Sequence, residues 1–307
     1  MQIIDYGLGN IMKKKVLILG ATGMLGHALF RQYLERDDLD VHATVRSIEG
    51  IEKCFSPEFM KRLQKGVDAD NFDTIVRAVT AVEPDVVINC IGLINQLPVA
   101  NDPLSVISIN SLLPHRIALL CKAAGIRMIH ISTDGVFDGK KGMYTESDEV
   151  NISDIYGMSK FLGEVRYPHC LTLRTSIIGN ELRRKSGLVE WFLAQNGKVR
   201  GYSRAMYSGF PTIEFAKIIS DYILPNDNVA GIYHVSSDPI SKYDLLCLIA
   251  DSYAKKIKIE PSDEVVIDRS LDSSAFRSLT GYTPPSWPEL VNKMYLNYIK
   301  YKGCKHV

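Results

Sequence analysis

Long apolar runs, an excess of one charge and paired cysteines are all missing from this chain of 307 residues. Without about 18 consecutive apolar residues no membrane-spanning helix is expected. No basic, apolar and small-residue leader pattern occurs either, so the expected compartment is the cytoplasm. Lysine and arginine number 36 against 35 aspartates and glutamates. The charges are interspersed apart from Lys13–Lys15, which leaves no nucleic-acid footprint and no membrane-surface patch. The six cysteines, Cys54, Cys90, Cys121, Cys170, Cys247 and Cys304, form no C-x-x-C. That favours neither a disulfide framework nor a zinc site, and no metal is expected. What is present is a 46% hydrophobic chain, enough for one large α/β domain with an appended lobe.

From Lys15 the chain alternates between two patterns. Val16–Leu19, Val41–Val45, Val86–Cys90, Met128–Ser132 and Leu171–Ile178 are apolar and rich in β-branched residues, as strands buried on both faces of a parallel sheet are. His27–Glu35, Asp73–Val82, Leu104–Ala124 and Tyr156–Arg166 carry helical patterns between them. Such alternation predicts α/β architecture, a doubly wound parallel Rossmann sheet with right-handed crossovers. Beyond Gly179 the pattern loosens: helices are expected over Leu188–Ala194, Pro211–Leu224, Lys242–Tyr253 and Trp287–Tyr301, and a strand over Gly231–Ser236. The expected division is a dinucleotide-binding domain over residues 12–178, with a returning segment at about 205–236. A smaller C-terminal substrate-binding lobe takes 179–204 and 237–307. Met1–Ile11 precedes Met12, a natural start for the first strand. It reads as an extension without chemistry, either from an upstream start or as a segment packed on the fold.

Two motifs carry the chemistry. Gly20-Ala-Thr22-Gly23-Met24-Leu25-Gly26 follows the first strand and opens a helix, so its backbone can approach a pyrophosphate at a helix N-terminus. At the end of the second strand an NAD enzyme usually offers an acid to the adenosine ribose. Here Val45 is followed by Arg46, whose guanidinium suits a 2′-phosphate, which favours NADP(H) over NAD(H); the bland alternative is a solvated loop arginine. Asp68, near the end of a short third strand, is a candidate for the adenine amino group. Asn89-Cys90-Ile91-Gly92 ends the fourth strand where backbone should pass the cofactor ribose.

The second motif, Tyr156-Gly-Met-Ser-Lys160, sets a phenol and an ammonium one helical turn apart on the same face. A free phenol titrates near pH 10. A neighbouring ammonium is expected to lower that value, with Tyr156 as general acid toward a carbonyl oxygen and Lys160 also holding the nicotinamide ribose. Thr133, at the end of the preceding strand, is the expected hydrogen-bond partner of the substrate oxygen, with Ser132 the alternative.

STDGVFDG at 132–139, YTESD at 144–148, YGMSKFLGE at 156–164, LRTSIIG at 173–179 and RSLDSSAFRSLTGY at 269–282 resemble the extended short-chain dehydrogenase/reductase family. Within it they are most similar to the dTDP-4-dehydrorhamnose reductases of nucleotide-sugar biosynthesis. The resemblance runs from about Met12 to the end. It implies a Thr133–Tyr156–Lys160 triad and reduction of the C4 ketone of a nucleotide-linked 4-keto-6-deoxyhexose for surface polysaccharide. Related 4,6-dehydratases carry an Asp-Glu pair after the Thr. Here Asp134 is followed by Gly135, so the elimination base is missing and a plain reductase is implied. The rhamnose reductases usually place a Tyr at that position, so the pocket beside the sugar should be more open.

Gly187–Tyr207 mixes Trp191, Arg200, Tyr202, Arg204 and Tyr207. Arginines suit a diphosphate and aromatics a pyrimidine ring, although Trp191 also reads as a core residue. This block resembles reductases of UDP-linked 2-acetamido-2,6-dideoxy sugars. The expected substrate is therefore a UDP-2-acetamido-2,6-dideoxy-hexos-4-ulose. The rivals are the rhamnose reductase proper, a nucleotide-sugar 4-epimerase, and the non-catalytic NADP-binding regulatory subunit of methionine adenosyltransferase. The number of subunits is not fixed by these residues, and a homodimer is left open.

Overall fold

Seven parallel strands form the central sheet of the computed structural model, which describes residues 13–94, 102–152, 154–182 and 186–301. They are β1 (Lys14–Leu19), β2 (Leu39–Val45), β3 (Leu63–Lys65), β4 (Val86–Asn89), β5 (Arg127–Thr133), β6 (Cys170–Thr175) and β7 (Gly231–His234). Their order is β3-β2-β1-β4-β5-β6-β7, and every neighbouring pair is parallel. The order reverses between β1 and β4, the switch point at which such sheets open a crevice beyond their carboxyl ends. The expected extension Met1–Ile11 lies outside the described residues.

The alternation along β1 shows why the sheet is covered on both faces. Val16 and Ile18 enter one core and Leu17 and Leu19 another, all four fully buried. The first core also takes in the helices Met24–Leu34 and Thr212–Ile218 and the C-terminal helix Trp287–Lys300. The second is filled by Phe72–Val82 and by Pro103–Ala124. The latter is a 22-residue helix whose most apolar window has a mean hydropathy of 1.4. It has the length and composition to cross a membrane, but half of that window is buried within the protein. Its inner face, including Ile109, Leu113 and Ile117, packs under the sheet as a core helix does. The middle of this helix, Ile107–Leu112, is π-helical.

The strand expected over Leu171–Ile178 is two. The chain bends at Ser176, whose carbonyl accepts from Phe210 N at 2.9 Å, and Ile177–Ile178 pairs instead with Phe210–Pro211. Beyond it, Ala205–Tyr207 pairs with Ile240–Ser241 and Ile267–Asp268, and Lys198–Tyr202 with Lys258–Ser262. Between these small sheets the chain returns to lay β7 against β6.

Gly26 sets how closely the first helix approaches β1, because a Cβ there would stand 2.2 Å from Gly20 O. Gly23 is different: its Cβ would meet nothing nearer than 3.5 Å. Gly26→Ala should therefore cost about 1–3 kcal/mol or more by overpacking. Gly23→Ala should stay within ~1 kcal/mol, the scale of an N-cap exchange. Thermal melts of the two variants check this, and equal losses would count against the close-packing account.

Candidate active site

At one end of the crevice lies the glycine turn. Gly20 sits at φ 90°, a conformation that side chains disfavour. Thr44, buried in β2, accepts from Gly20 N at 3.0 Å through its hydroxyl and from Ala21 N at 2.9 Å through its carbonyl. The helix Met24–Leu34 then starts at the exposed Gly23 with no side chain capping it. Thr22 and Met24 are half-buried and Leu25 is buried. An uncapped helix N-terminus reached through glycines is a cradle that fits a pyrophosphate. Arg46 is exposed directly after β2. Asp68 lies three residues past β3, its backbone N–H held by Thr74 Oγ1 at 2.9 Å. At the end of β4, Asn89 Oδ1 accepts from Ile91 N at 3.1 Å and so shapes the Cys90–Gly92 turn. Burial pushes the Cys90 thiol up to about 12, so it stays protonated.

At the other end the helix Ile155–Leu162 carries Tyr156 and Lys160. Asp154 caps it by accepting from Gly157 N at 2.7 Å. Two glycines let this helix lie close to its neighbours. A Cβ at Gly157 would stand 2.3 Å from Gly135 O, and one at Gly163 would stand 1.9 Å from Asn110 O. Lys160 Nζ donates to Ile131 O at 2.7 Å. Asn110, in the π-helical stretch, accepts from Leu93 N at 2.8 Å and donates to Leu93 O at 2.9 Å and Ser159 Oγ at 3.1 Å. It clamps the chain beyond β4 to the helix of Tyr156 and Lys160. Thr133 Oγ1 accepts from Gly135 N at 3.0 Å and donates to Asp134 Oδ1 at 3.2 Å. The same hydroxyl lowers the proton affinity of the Tyr156 phenol. A Cβ at Gly135 would be 3.3 Å from Thr133 Oγ1 and 3.4 Å from Tyr156 Cε1, so all three groups meet at one point.

Burial dominates the electrostatics here. It pushes the Tyr156 phenol up to about 12, although the neighbouring Thr133 hydroxyl opposes it. The expected lowering by Lys160 is absent, because that ammonium is turned to Ile131 O and Lys160 itself is lowered to about 8 by burial. Burial likewise raises Asp134 to about 6, against the pull of Arg269 and Lys242. The protein alone thus holds Tyr156 as an acid with its proton in place.

The remaining expected residues divide. Ser132 is turned away, its hydroxyl donating to Glu164 at 2.8 Å inside a buried ion pair with Arg174. Trp191 is 40% exposed on its helix and Arg204 is exposed in a turn. Neither has a described contact with Thr133, Asp134 or Tyr156. Arg200, at the surface, pairs with Glu264. Tyr207 is buried, packs against Trp287 and is acted on by the charge of Asp134. Arg269 and Lys242, not singled out individually in the sequence, are the cations that face Asp134. Thr44 and Asn110 were missed as well; other polar residues, His42 in one run and Ser105, Ser108 and Ser111 in the other, leave neither marked out in the sequence. Among the described residues no group of three or more His, Cys, Asp or Glu is placed to hold a metal ion.

The RmlD substrate binding domain family matches residues 13–298. The β subunit of methionine adenosyltransferase 2 of Danio rerio is 28% identical over 254 residues, covering 78% of this chain and 74% of the relative. A dTDP-4-dehydrorhamnose reductase of Aggregatibacter actinomycetemcomitans is 29% identical over 259 residues, covering 79% and 81%. Among solved structures, a dTDP-4-dehydrorhamnose reductase of Bacillus anthracis in complex with NADP superposes with a TM-score of 0.76 at 20% identity, over 93% of this chain and 99% of that one. The family match covers nearly all of the chain, and the solved structure has the same fold: the chain belongs to the RmlD substrate binding domain family.

Proposed function

We propose that this protein is an NADPH-dependent reductase of the C4 ketone of a nucleotide-linked 4-keto-6-deoxyhexose. The observation that carries the reading is the meeting of Thr133 and Tyr156 at one point, with Lys160 one turn along the same helix, at the carboxyl end of β5. The uncapped glycine turn suits the cofactor pyrophosphate, and Arg46, exposed directly after β2, suits a 2′-phosphate. When bound, the reduced nicotinamide supplies the hydride. Tyr156 delivers the proton from its phenol to the substrate oxygen, and Thr133 orients that oxygen. Lys160, its ammonium held by Ile131 O, would hold the cofactor ribose. For the substrate phosphates, Arg269 and Lys242 suit better than Arg204, since both cations act on Asp134 beside the phenol. Gly135 puts no side chain beside Thr133 and Tyr156. That supports a sugar with a bulky C2 substituent, a UDP-linked 2-acetamido-2,6-dideoxy-hexos-4-ulose.

A second reading, a non-catalytic NADP-binding partner subunit, is favoured by the likeness to the β subunit of methionine adenosyltransferase 2. A 4-epimerase would recycle its cofactor rather than consume it, and Arg46 speaks against that.

Tyr156→Phe should keep cofactor affinity and lose at least ~10²-fold in turnover, the scale of general acid catalysis. Absorbance at 340 nm with a keto-sugar measures it, and near-native turnover in a folded variant would remove Tyr156 from the reaction. Arg46→Ala should raise KM for NADPH far more than KM for NADH; equal changes would refute the 2′-phosphate role. In a panel of nucleotide 4-keto-6-deoxy sugars, the UDP-acetamido sugar should exceed dTDP-4-dehydrorhamnose by about tenfold in kcat/KM, or ~1.4 kcal/mol. The reverse ranking would end the open-pocket argument. Failure of every sugar while NADPH still binds would favour the partner-subunit reading.

A further inference from the structure

The Thr133 hydroxyl carries one proton and has two acceptors within reach. Its Oγ1 already accepts from Gly135 N at 3.0 Å, so the backbone fixes the oxygen. The proton points to Asp134 Oδ1 at 3.2 Å. The competing acceptors lie on the Tyr156 side, across the point where a Cβ at Gly135 would stand 3.3 Å from Thr133 Oγ1 and 3.4 Å from Tyr156 Cε1. A carboxylate is the stronger taker. With Asp134 ionised, Thr133 has no proton left to orient a substrate oxygen or to stabilise the phenolate of Tyr156.

We propose that Asp134 is a positioning residue of this site: ionised, it draws the Thr133 proton aside, and neutral, it releases that proton toward Tyr156 and the substrate oxygen. The inference rests on the reductase reading given above. A neutral carboxyl can donate its own O–H to Thr133 Oγ1, so the hydroxyl turns without any covalent change, and Asp134 regains or loses its proton by exchange with solvent. The groups that face Asp134 come from several elements. They are the hydroxyls of Thr133 and Ser176, the phenols of Tyr156 and Tyr207, and the cations of Arg269 and Lys242. Burial favours the neutral carboxyl, and the two cations and two hydroxyls favour the ionised one. The balance at about 6 leaves both states within reach near neutral pH. Arg269 Nε, buried and without a hydrogen-bond partner among the described residues, marks how much of this balance depends on a few groups.

The test is the pH profile of kcat at saturating NADPH and keto-sugar. In the wild type, kcat should fall as pH rises through the Asp134 ionisation, approaching ~10-fold per pH unit for a single proton. Asp134→Asn stays neutral and keeps a donor toward Thr133, so its profile should lose this limb whatever its absolute rate. Arg269→Met removes a charge that favours the carboxylate, so the limb should move to higher pH; this variant serves if the Asn protein does not fold. In a Thr133→Val background, Asp134→Asn should no longer change the profile. A limb that survives Asp134→Asn, or that Arg269→Met leaves in place, overturns the inference while the reductase reading stands. If the wild type reduces no keto-sugar, the reductase reading falls and this inference falls with it.

Discussion

A bidentate ion pair sealed inside the protein sets the frame around the site. Arg174 of β6 donates through Nε and Nη2 to the two oxygens of Glu164 at 2.7 and 2.8 Å, and both side chains are only 2% exposed. Ser132 of β5 donates to the same carboxylate, and His234 of β7 lies 3.3 Å from Arg174 Nη1. Removing one partner of a buried pair leaves an uncompensated charge that costs about 3–5 kcal/mol. Three strands and the end of the helix bearing Tyr156 and Lys160 are therefore held to a single arrangement. Alternation along β5 does the rest: Ser132 is held by the pair, and Thr133, one residue on, meets Tyr156 on the other side.

Close backbone approach serves the two ends of the crevice in different ways. At Gly26 a missing Cβ brings helix and strand together, whereas at the exposed Gly23 the missing Cβ leaves room for a ligand. At the other end, Gly157 and Gly163 let the helix of Tyr156 and Lys160 sink between the turn after β5 and the helix Pro103–Ala124. The same sinking buries the ammonium and half-buries the phenol and Asp134. Burial is accordingly the largest influence on all three, and proton affinities there follow from packing first and from neighbouring charges second.

Much of the sheet was legible because strands covered on both faces leave a plain mark, a short run of Val, Ile and Leu, and all the main parallel strands were placed by it to within a few residues. Local motifs were equally plain: the glycine string and the Tyr156–Lys160 spacing each lie within one turn or one helix. What escaped depends on the third dimension. The bend at Ser176 is forced by a pairing with Phe210–Pro211, which no local pattern announces. Arg269 and Lys242 reach Asp134 from more than a hundred residues away, while the aromatic and basic block before them looked the better partner by composition. The phenol was expected to be lowered by its lysine because spacing alone does not show that Lys160 would be turned to Ile131 O.

The late position of β7 in the chain bears on how the molecule is made. β6 is complete at Thr175, yet its partner begins only at Gly231, after much of the small lobe has been threaded. The C-terminal helix then joins the first one, Lys300 bonding Glu35 across 265 positions. On a ribosome, the Leu171–Arg174 edge emerges well before anything can pair with it, and the last helix emerges after every strand it covers. Contacts this distant slow folding and lengthen the time an open parallel edge can find the wrong partner. Nascent chains of this protein thus carry an adhesive strand edge for as long as it takes to synthesise residues 176 to 230.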